Sequence, residues 1–390
     1  MINKKPPDAQ APGIFLHYCK KRQKEYTGKL TLIKNKTMKT KIIATIGPKS
    51  ESYEELKAMT EAGLNIARMN FSHCTVEEYQ LRKANIERIN KELGTSVEIL
   101  QDLQGPRIRV GKLPTEGVEL EEGKTYVFSY EQKEYEPGGV IPIGDPYLHV
   151  DVKVGEPFYL ANGDMELVIT DVQGSQIYAK VVTEGTLFSR KAINVPRTNL
   201  TCGGVTEKDI EDAKFGVVQG ADYIALSFVQ SADDIIKLRS VFPDKKIKII
   251  AKIERALALD NIDAIIEESD GIMIARGDLG IEIPMEDLPI IQKNLIRHAH
   301  WHNKPAIVAT QMMMSMVDHE HPSRAEVSDV ANAVFEGGDA VMLSDETAAG
   351  KHPAKAVAMM VKIVKRTEDY TKRESFFEME TLGEYKKAKK

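Results

Sequence analysis

Two short stretches of the chain set a basic and an acidic side chain two residues apart: Lys252-Ile-Glu254 and Arg276-Gly-Asp278. Residues two apart share a face of an extended strand, so each stretch would present both charges together. Arg68-Met-Asn70-Phe-Ser72 does the same with a guanidinium, an amide and a hydroxyl. Asp102, the pair Thr310 and Gln311, and the pair Ser344 and Glu346 close further apolar runs. Two carboxylates, Glu254 and Asp278, with few histidines nearby suit a hard divalent ion, Mg2+ or Mn2+, whereas zinc would want His or Cys. Arg68, Lys252 and Arg276 put positive charge around the same centre. Metal and cations without an evident nucleophile are the equipment of phosphoryl transfer, in which positioning and charge neutralisation carry the catalysis. Free backbone N–H groups along Gly277–Gly280 would add an anion cradle if a short helix starts there. Any one of these residues alone reads as an ordinary solvated or paired charge. As a group they are costly to bury without a ligand.

The elements that would hold them are apolar runs at Lys41–Gly47, Leu64–Ser72, Val97–Gln104, Tyr223–Val229, Ile247–Glu254, Gly271–Asp278, Ala306–Gln311 and Ala340–Glu346. Helical periodicity separates most of them and predicts helices over Tyr53–Ala62, Glu207–Gln219 and Arg324–Phe335. Thr206 with Asp209 and Ser323 with Glu326 have the spacing of N-terminal caps. Nearly continuous apolar strands alternating with helices imply a parallel sheet covered by helices. Eight such units predict an α/β fold, a closed (β/α)8 barrel, with an open doubly wound sheet as the fallback. Catalytic groups of such barrels sit at the C-terminal strand ends, where these polar residues fall. The interval from Gly105 to about Val205 breaks the rhythm, with turn signals between the short runs Thr125–Tyr130, Pro157–Leu160, Glu166–Val172 and Ile177–Val182. It reads as a small all-β domain inserted after strand three and overhanging the site as a lid.

The expected organisation is therefore a disordered extension over 1–37, a barrel over 38–105 and 196–368, a lid over 106–195 and a polar tail over 369–390. A net charge of −5 argues against a nucleic-acid binder. The 3 cysteines, Cys19, Cys74 and Cys202, lie far apart, which fits a reducing cytosol better than a disulfide framework or zinc ribbon. No apolar run is long enough to span a membrane, and the N-terminus lacks the apolar core of a secretory signal. Neither a GxxxxGK[ST] loop nor the HRD and DFG set of protein kinases occurs, so a nucleotide would lie between the barrel mouth and the inserted domain. Met312, Met313, Met314 and Met316 read as adaptable packing beneath strand seven. His298, His300 and His302 should diverge around a helix, which makes a poor metal site, and Trp301 reads as shell packing.

The segments Thr45-Ile-Gly-Pro-Lys49, Arg68-Met-Asn-Phe-Ser-His73, Ala251-Lys-Ile-Glu254, Ala275-Arg-Gly-Asp-Leu-Gly280, Ala309-Thr-Gln-Met312 and Glu346-Thr-Ala-Ala-Gly350, in this order, resemble pyruvate kinases. The resemblance runs from about Met38 to about Lys365. It implies Mg2+- or Mn2+-dependent transfer of the phosphoryl group of phosphoenolpyruvate to ADP in the cytoplasm, and a homo-oligomer assembled through the barrel. Glu254 and Asp278 would hold the ion, and Lys252 would neutralise the transferred phosphoryl. Gly277, Asp278 and Thr310 would grip the substrate carboxylate. Arg68 would bridge the phosphates, and Asn70, His73, Arg109 and Lys191 would face the nucleotide. Thr310, Ser344 and Glu346 would relay the proton that the enolate needs. Competing readings are a metal-dependent aldolase or lyase acting on an enolate, and a catalytically weak regulatory binder of nucleotide or phosphoenolpyruvate.

Three departures from the pattern matter. Of the family's potassium-site residues, Asn70, Ser72 and Asp102 match, but Leu103 stands for Thr and Arg107 for Glu. Members independent of potassium usually carry Lys at the latter position, so Arg107 is expected to replace K+ with a built-in cation, the alternative being that it merely pairs with a nearby carboxylate. Asp345 stands where the family has a small residue, and alternation would turn it toward the barrel shell. The family's usual further α/β domain has no counterpart before Lys390, so effector control from it is expected to be absent. The first departure is testable: at constant ionic strength, turnover should stay flat as KCl replaces a tetramethylammonium salt. A rise with K+ would remove Arg107 from that role.

Overall fold

The computed structural model describes residues 38–196, 198–243 and 247–388, with side chains described as far as residue 372. The extension expected over 1–37 lies outside the described residues. Eight parallel strands form a closed barrel: β1 (Lys41–Thr45), β2 (Ile66–Asn70), β3 (Glu98–Asp102), β4 (Tyr223–Leu226), β5 (Lys248–Ile253), β6 (Gly271–Ala275), β7 (Ala306–Ala309) and β8 (Ala340–Leu343). Each pairs with the next, and β8 returns to β1 through Lys41 opposite Ala340. No strand is left at an edge, so the apolar runs are satisfied on both sides. Ile43, Ile66, Leu100, Ala225, Ile250, Met273 and Ile307 fill the interior. Met312, Met313 and Met316 are fully buried beyond β7, whereas Met314 is 44% exposed and does no such packing.

The three expected helices form over the expected residues, Tyr53–Ala62, Glu207–Gln219 and Arg324–Phe335. Thr206 and Ser323 each accept from the backbone N–H three residues on, and Asp209 and Glu326 reciprocate. Each strand ends sooner than its apolar run, and after β6 and β8 the chain turns at once into a helix. Arg276–Glu282 and Asp345–Ala348 are short helices, so Asp278 and Glu346 leave their strands on helical backbone and not by alternation. Asp345 is accordingly exposed at a helix start and does not face the shell.

Between β3 and β4 the chain builds a six-stranded and a two-stranded sheet. Four of its strands cover the runs read from sequence; Val118–Leu120, Ile141–Pro142, Gly185–Leu187 and Ile193–Asn194 are too short to show alternation. This part has its own core, with Phe128 and Phe158 fully buried and their rings 5.0 Å apart. The last helix, Pro353–Ala388, runs through the boundary expected at residue 368, so the tail continues that helix. On it, Glu368 accepts the backbone N–H groups of Lys39 at 2.9 Å and Thr40 at 2.8 Å, tying the start of the barrel to its last helix. Among the described residues no helix is long and apolar enough to cross a membrane.

Separate cores should fail separately. Phe128→Ala is expected to cost roughly 3–5 kcal/mol locally. Hydrogen exchange should then quicken over residues 118–194 while β1–β8 keep their protection.

Candidate active site

At the C-terminal ends of β1 to β5 the polar side chains form one connected network. Arg68 on β2 donates to Asp102 on β3 at 2.6 Å and to the Thr45 hydroxyl on β1 at 2.8 Å. The parallel register sets Asn70 beside Asp102 and Thr45 beside Arg68, which is why these ends meet. Lys252 on β5 reaches the other Asp102 oxygen at 3.1 Å, Glu254 at 2.9 Å and the Ser227 hydroxyl at 2.7 Å. Ser227 also donates to the Leu103 carbonyl at 2.7 Å. Glu254, 2% exposed, takes the Phe228 N–H at 2.7 Å on its second oxygen.

Burial disfavours every charge in this network, and pairing decides which charges survive. Burial opposes ionised Asp102, but Lys252 and Arg68 outweigh it and hold the carboxyl below the usual range. Burial likewise works against Lys252, but Asp102 and Glu254 carry its ammonium above its ordinary value. Glu254 goes the other way: burial first, then the Asp278 and Asp102 carboxylates, hold it above the usual range despite Lys252. It is the carboxylate still short of positive charge.

Asp278 lies at the mouth, half-buried, on the short helix after β6. Arg107 approaches it at 3.6 Å and also donates to Asn162 of the inserted sheets at 3.0 Å. Asp102 has Arg68, Lys252 and Ser227 as partners, so Arg107 pairs with Asp278 and not within the Asn70, Ser72, Asp102 and Leu103 region where a potassium substitute was expected. Leu103 itself is buried. Asn70 takes the Ser72 N–H at 3.2 Å on its side chain and the His73 N–H at 3.0 Å on its carbonyl, and His73 is exposed. Arg109 donates to the Arg190 carbonyl at 3.0 Å; burial, then Arg107 and Arg190, lower its pKa. With exposed Lys191 next along the chain, these groups make a cationic wall that favours an anion.

Arg276 does not contribute to that charge. It turns to β7, donating to the Thr310 carbonyl at 2.8 Å and pairing with Asp329 at 2.7 Å. The turn it braces is strained: Thr310 has φ +69° and Gln311 +53°, a region costly for a β-branched residue. The Thr310 hydroxyl takes the Gly277 N–H at 2.7 Å and donates to the Ala309 carbonyl at 2.6 Å. Gly277 therefore spends the N–H expected for an anion cradle. Glu346, fully buried, accepts the Met313 and Ser344 N–H groups at 3.0 and 2.7 Å.

Sequence reading missed Ser227 and Phe228. Their signal was present, since a polar residue follows β4 as one closes the neighbouring runs, but a lone serine after an apolar run carries little weight. Phe228 has φ +56°, which points its N–H at Glu254. The histidines were misjudged: one turn apart, His298 and His302 converge on Asp263 at 2.8 and 3.3 Å, while His300 reaches Asp339 at 3.0 Å. Trp301 is 46% exposed, with its ring 4.8 Å from that of His298.

Comparison with known proteins follows this geometry. The family described as "Pyruvate kinase, barrel domain" matches residues 37–357. A pyruvate kinase of Bacillus licheniformis is 45% identical over 336 residues, covering 85% of this chain and 57% of that relative. One of Thermococcus litoralis is 45% identical over 334 residues, covering 85% of this chain and 70% of that relative. The chain thus spans little more than half of the first relative's length. A crystal structure of a pyruvate kinase from Cryptosporidium parvum superposes with a TM-score of 0.81 at 36% identity, covering 85% of this chain and 70% of that one.

The network makes a stability prediction that needs no ligand. Lys252→Met strands Glu254 without its cation and should cost roughly 3–5 kcal/mol. Ser227→Ala, which removes one hydroxyl, should cost about 1–2 kcal/mol. Urea denaturation should rank them in that order.

Proposed function

Because the chain belongs to the pyruvate kinase family, we propose that it transfers the phosphoryl group of phosphoenolpyruvate to ADP, giving pyruvate and ATP. The observation that carries this reading is the buried ammonium of Lys252, fixed between Asp102 and Glu254 at the mouth of the barrel. A buried cation held in place supplies charge where a phosphoryl group develops it, with no reorganisation during the reaction.

Glu254 and Asp278 would hold a divalent ion, Mg2+ or Mn2+. The donor set fits one: both groups are carboxylates, and Asp278 helps push the Glu254 pKa up, a repulsion that a cation between them would relieve. Bound there, the ion would neutralise phosphate oxygens and orient them. Among the described residues no cluster of three or more His, Cys, Asp or Glu could hold a metal, so the remaining ligands would be substrate oxygens and water.

The transfer breaks the bond between phosphorus and the bridging oxygen of phosphoenolpyruvate and forms one to a terminal oxygen of ADP. Lys252 would face the transferred group. Arg68, Arg109 and Lys191 would take the phosphates of the nucleotide, with Asn70 and His73 beside it. The Thr310 hydroxyl would turn from Gly277 toward the substrate carboxylate. The enolate left behind must gain a proton at its methylene carbon, and the Thr310 and Ser344 hydroxyls would pass it through water. Both oxygens of Glu346 are engaged by backbone N–H groups, so its part is to fix these two loops.

A lactate-dehydrogenase-coupled assay with ADP, Mg2+ and phosphoenolpyruvate tests the reading. Turnover is expected, falling at least about 1,000-fold in Lys252→Met while the protein stays folded at 25 °C. Tight ADP binding without pyruvate would instead favour a regulatory binder, and cleavage of a carbon–carbon bond a lyase.

A further inference from the structure

Arg255 follows Glu254, and Glu282 lies four residues after Asp278 on the same short helix. Their side chains meet in the wall behind the two carboxylates. Arg255 is 3% exposed and its Nε lies 3.7 Å from Glu282. Its other nitrogens donate to the Gln230 side chain at 2.9 Å, the Val195 carbonyl at 2.9 Å and the Thr198 carbonyl at 2.8 Å. Val195 and Thr198 belong to the segment that returns from the inserted sheets to the barrel, and Gln230 follows the end of β4. Glu282, 8% exposed, accepts the Ala256 N–H at 3.3 Å. A cavity of about 20 Å³ borders both side chains together with Arg107, Asn194 and Phe228, so the pair stands where the inserted sheets meet the barrel mouth.

Such a pair is expensive for stability alone, since two buried charges repay their desolvation only with good geometry. What it achieves is connection: one guanidinium fork links β5, the chain after β4, the helix carrying Asp278 and the base of the inserted sheets. We propose that Arg255 and Glu282 are a positioning pair that sets the separation of Glu254 from Asp278 for the divalent ion and anchors the inserted sheets to that setting. This rests on the reading that those two carboxylates bind the ion. Partners behind metal ligands commonly govern affinity about 10- to 100-fold, although they never touch the metal.

The sign of the effect separates positioning from simple electrostatics. Losing the positive charge of Arg255 should tighten a divalent cation by Coulomb's law, and losing the negative charge of Glu282 should weaken it. A positioning role requires both losses to weaken it. The experiment is Mn2+ binding to the full chain without substrates, followed by electron paramagnetic resonance, for wild type, Arg255→Met, Arg255→Lys and Glu282→Gln. Circular dichroism confirms folding, and hydrogen exchange is read over residues 193–200. Arg255→Met and Glu282→Gln should each weaken Mn2+ about tenfold and quicken exchange at the base of the inserted sheets. Arg255→Lys keeps the charge without the fork and should also weaken binding; it and Glu282→Gln decide the matter if Arg255→Met does not fold. Unchanged or tighter binding in the folded Arg255 variants overturns the positioning role and leaves the proposed function standing. Failure of the wild-type chain to bind Mn2+ even with phosphoenolpyruvate added overturns both.

Discussion

The ammonium of Lys252, shut between Asp102 and Glu254, is the interaction on which the rest of the site depends. Two carboxylates within reach of each other inside a barrel repel and resist ionisation; one buried lysine with Arg68 behind it keeps Asp102 below its usual range, while Glu254 stays above its own. The bonds run from Thr45 through Arg68, Asp102 and Ser227 to Lys252 and Glu254, across β1 to β5 in order. The parallel register of β1 to β5 brings five consecutive strand ends into one short arc of side chains.

Where the network stops, the backbone takes strain instead. Phe228, Thr310 and Gln311 all adopt left-handed conformations just past their strands. Each is held from outside: Phe228 by the Glu254 carboxylate, Thr310 by Arg276 and by Gly277, and Gln311 by Arg276 at its carbonyl. Such residues persist only where surrounding bonds over-determine them. The mouth thus has a dense charged half under β2 to β5 and a braced half under β6 to β8, with Asp278 at the junction.

Much of the fold was legible because it follows from period and spacing. The eight apolar runs, the three helices and two capping boxes leave local signatures; Lys252 and Glu254 were singled out by strand alternation and Asp102 by closing an apolar run. What failed was non-local. Alternation presumes that a strand continues, and nothing local shows that β6 and β8 stop at Ala275 and Leu343. Arg276 was therefore placed facing the centre, when helical backbone turns it toward Asp329. The contact of Arg107 with Asp278 joins residues far apart in the chain, and only the position of the inserted sheets determines it. His298 and His302 were read at a spacing of two, whereas the helix acts at a spacing of four.

Glu368, bonded to the backbone of Lys39 and Thr40, lies 328 residues downstream of Thr40. During synthesis β1 is the first barrel strand to emerge and its second neighbour, β8, the eighth, so β1 keeps one side unpaired while β2 to β7 and the inserted sheets are made. The inserted sheets, whose contacts are mostly local, can form while that edge waits. The arc from Thr45 to Glu254 has all its side chains once β5 is made, before β8 arrives to close the barrel. Ribosome-bound chains would therefore expose an open edge that chaperones must shield, and the barrel can close only when β8 meets β1.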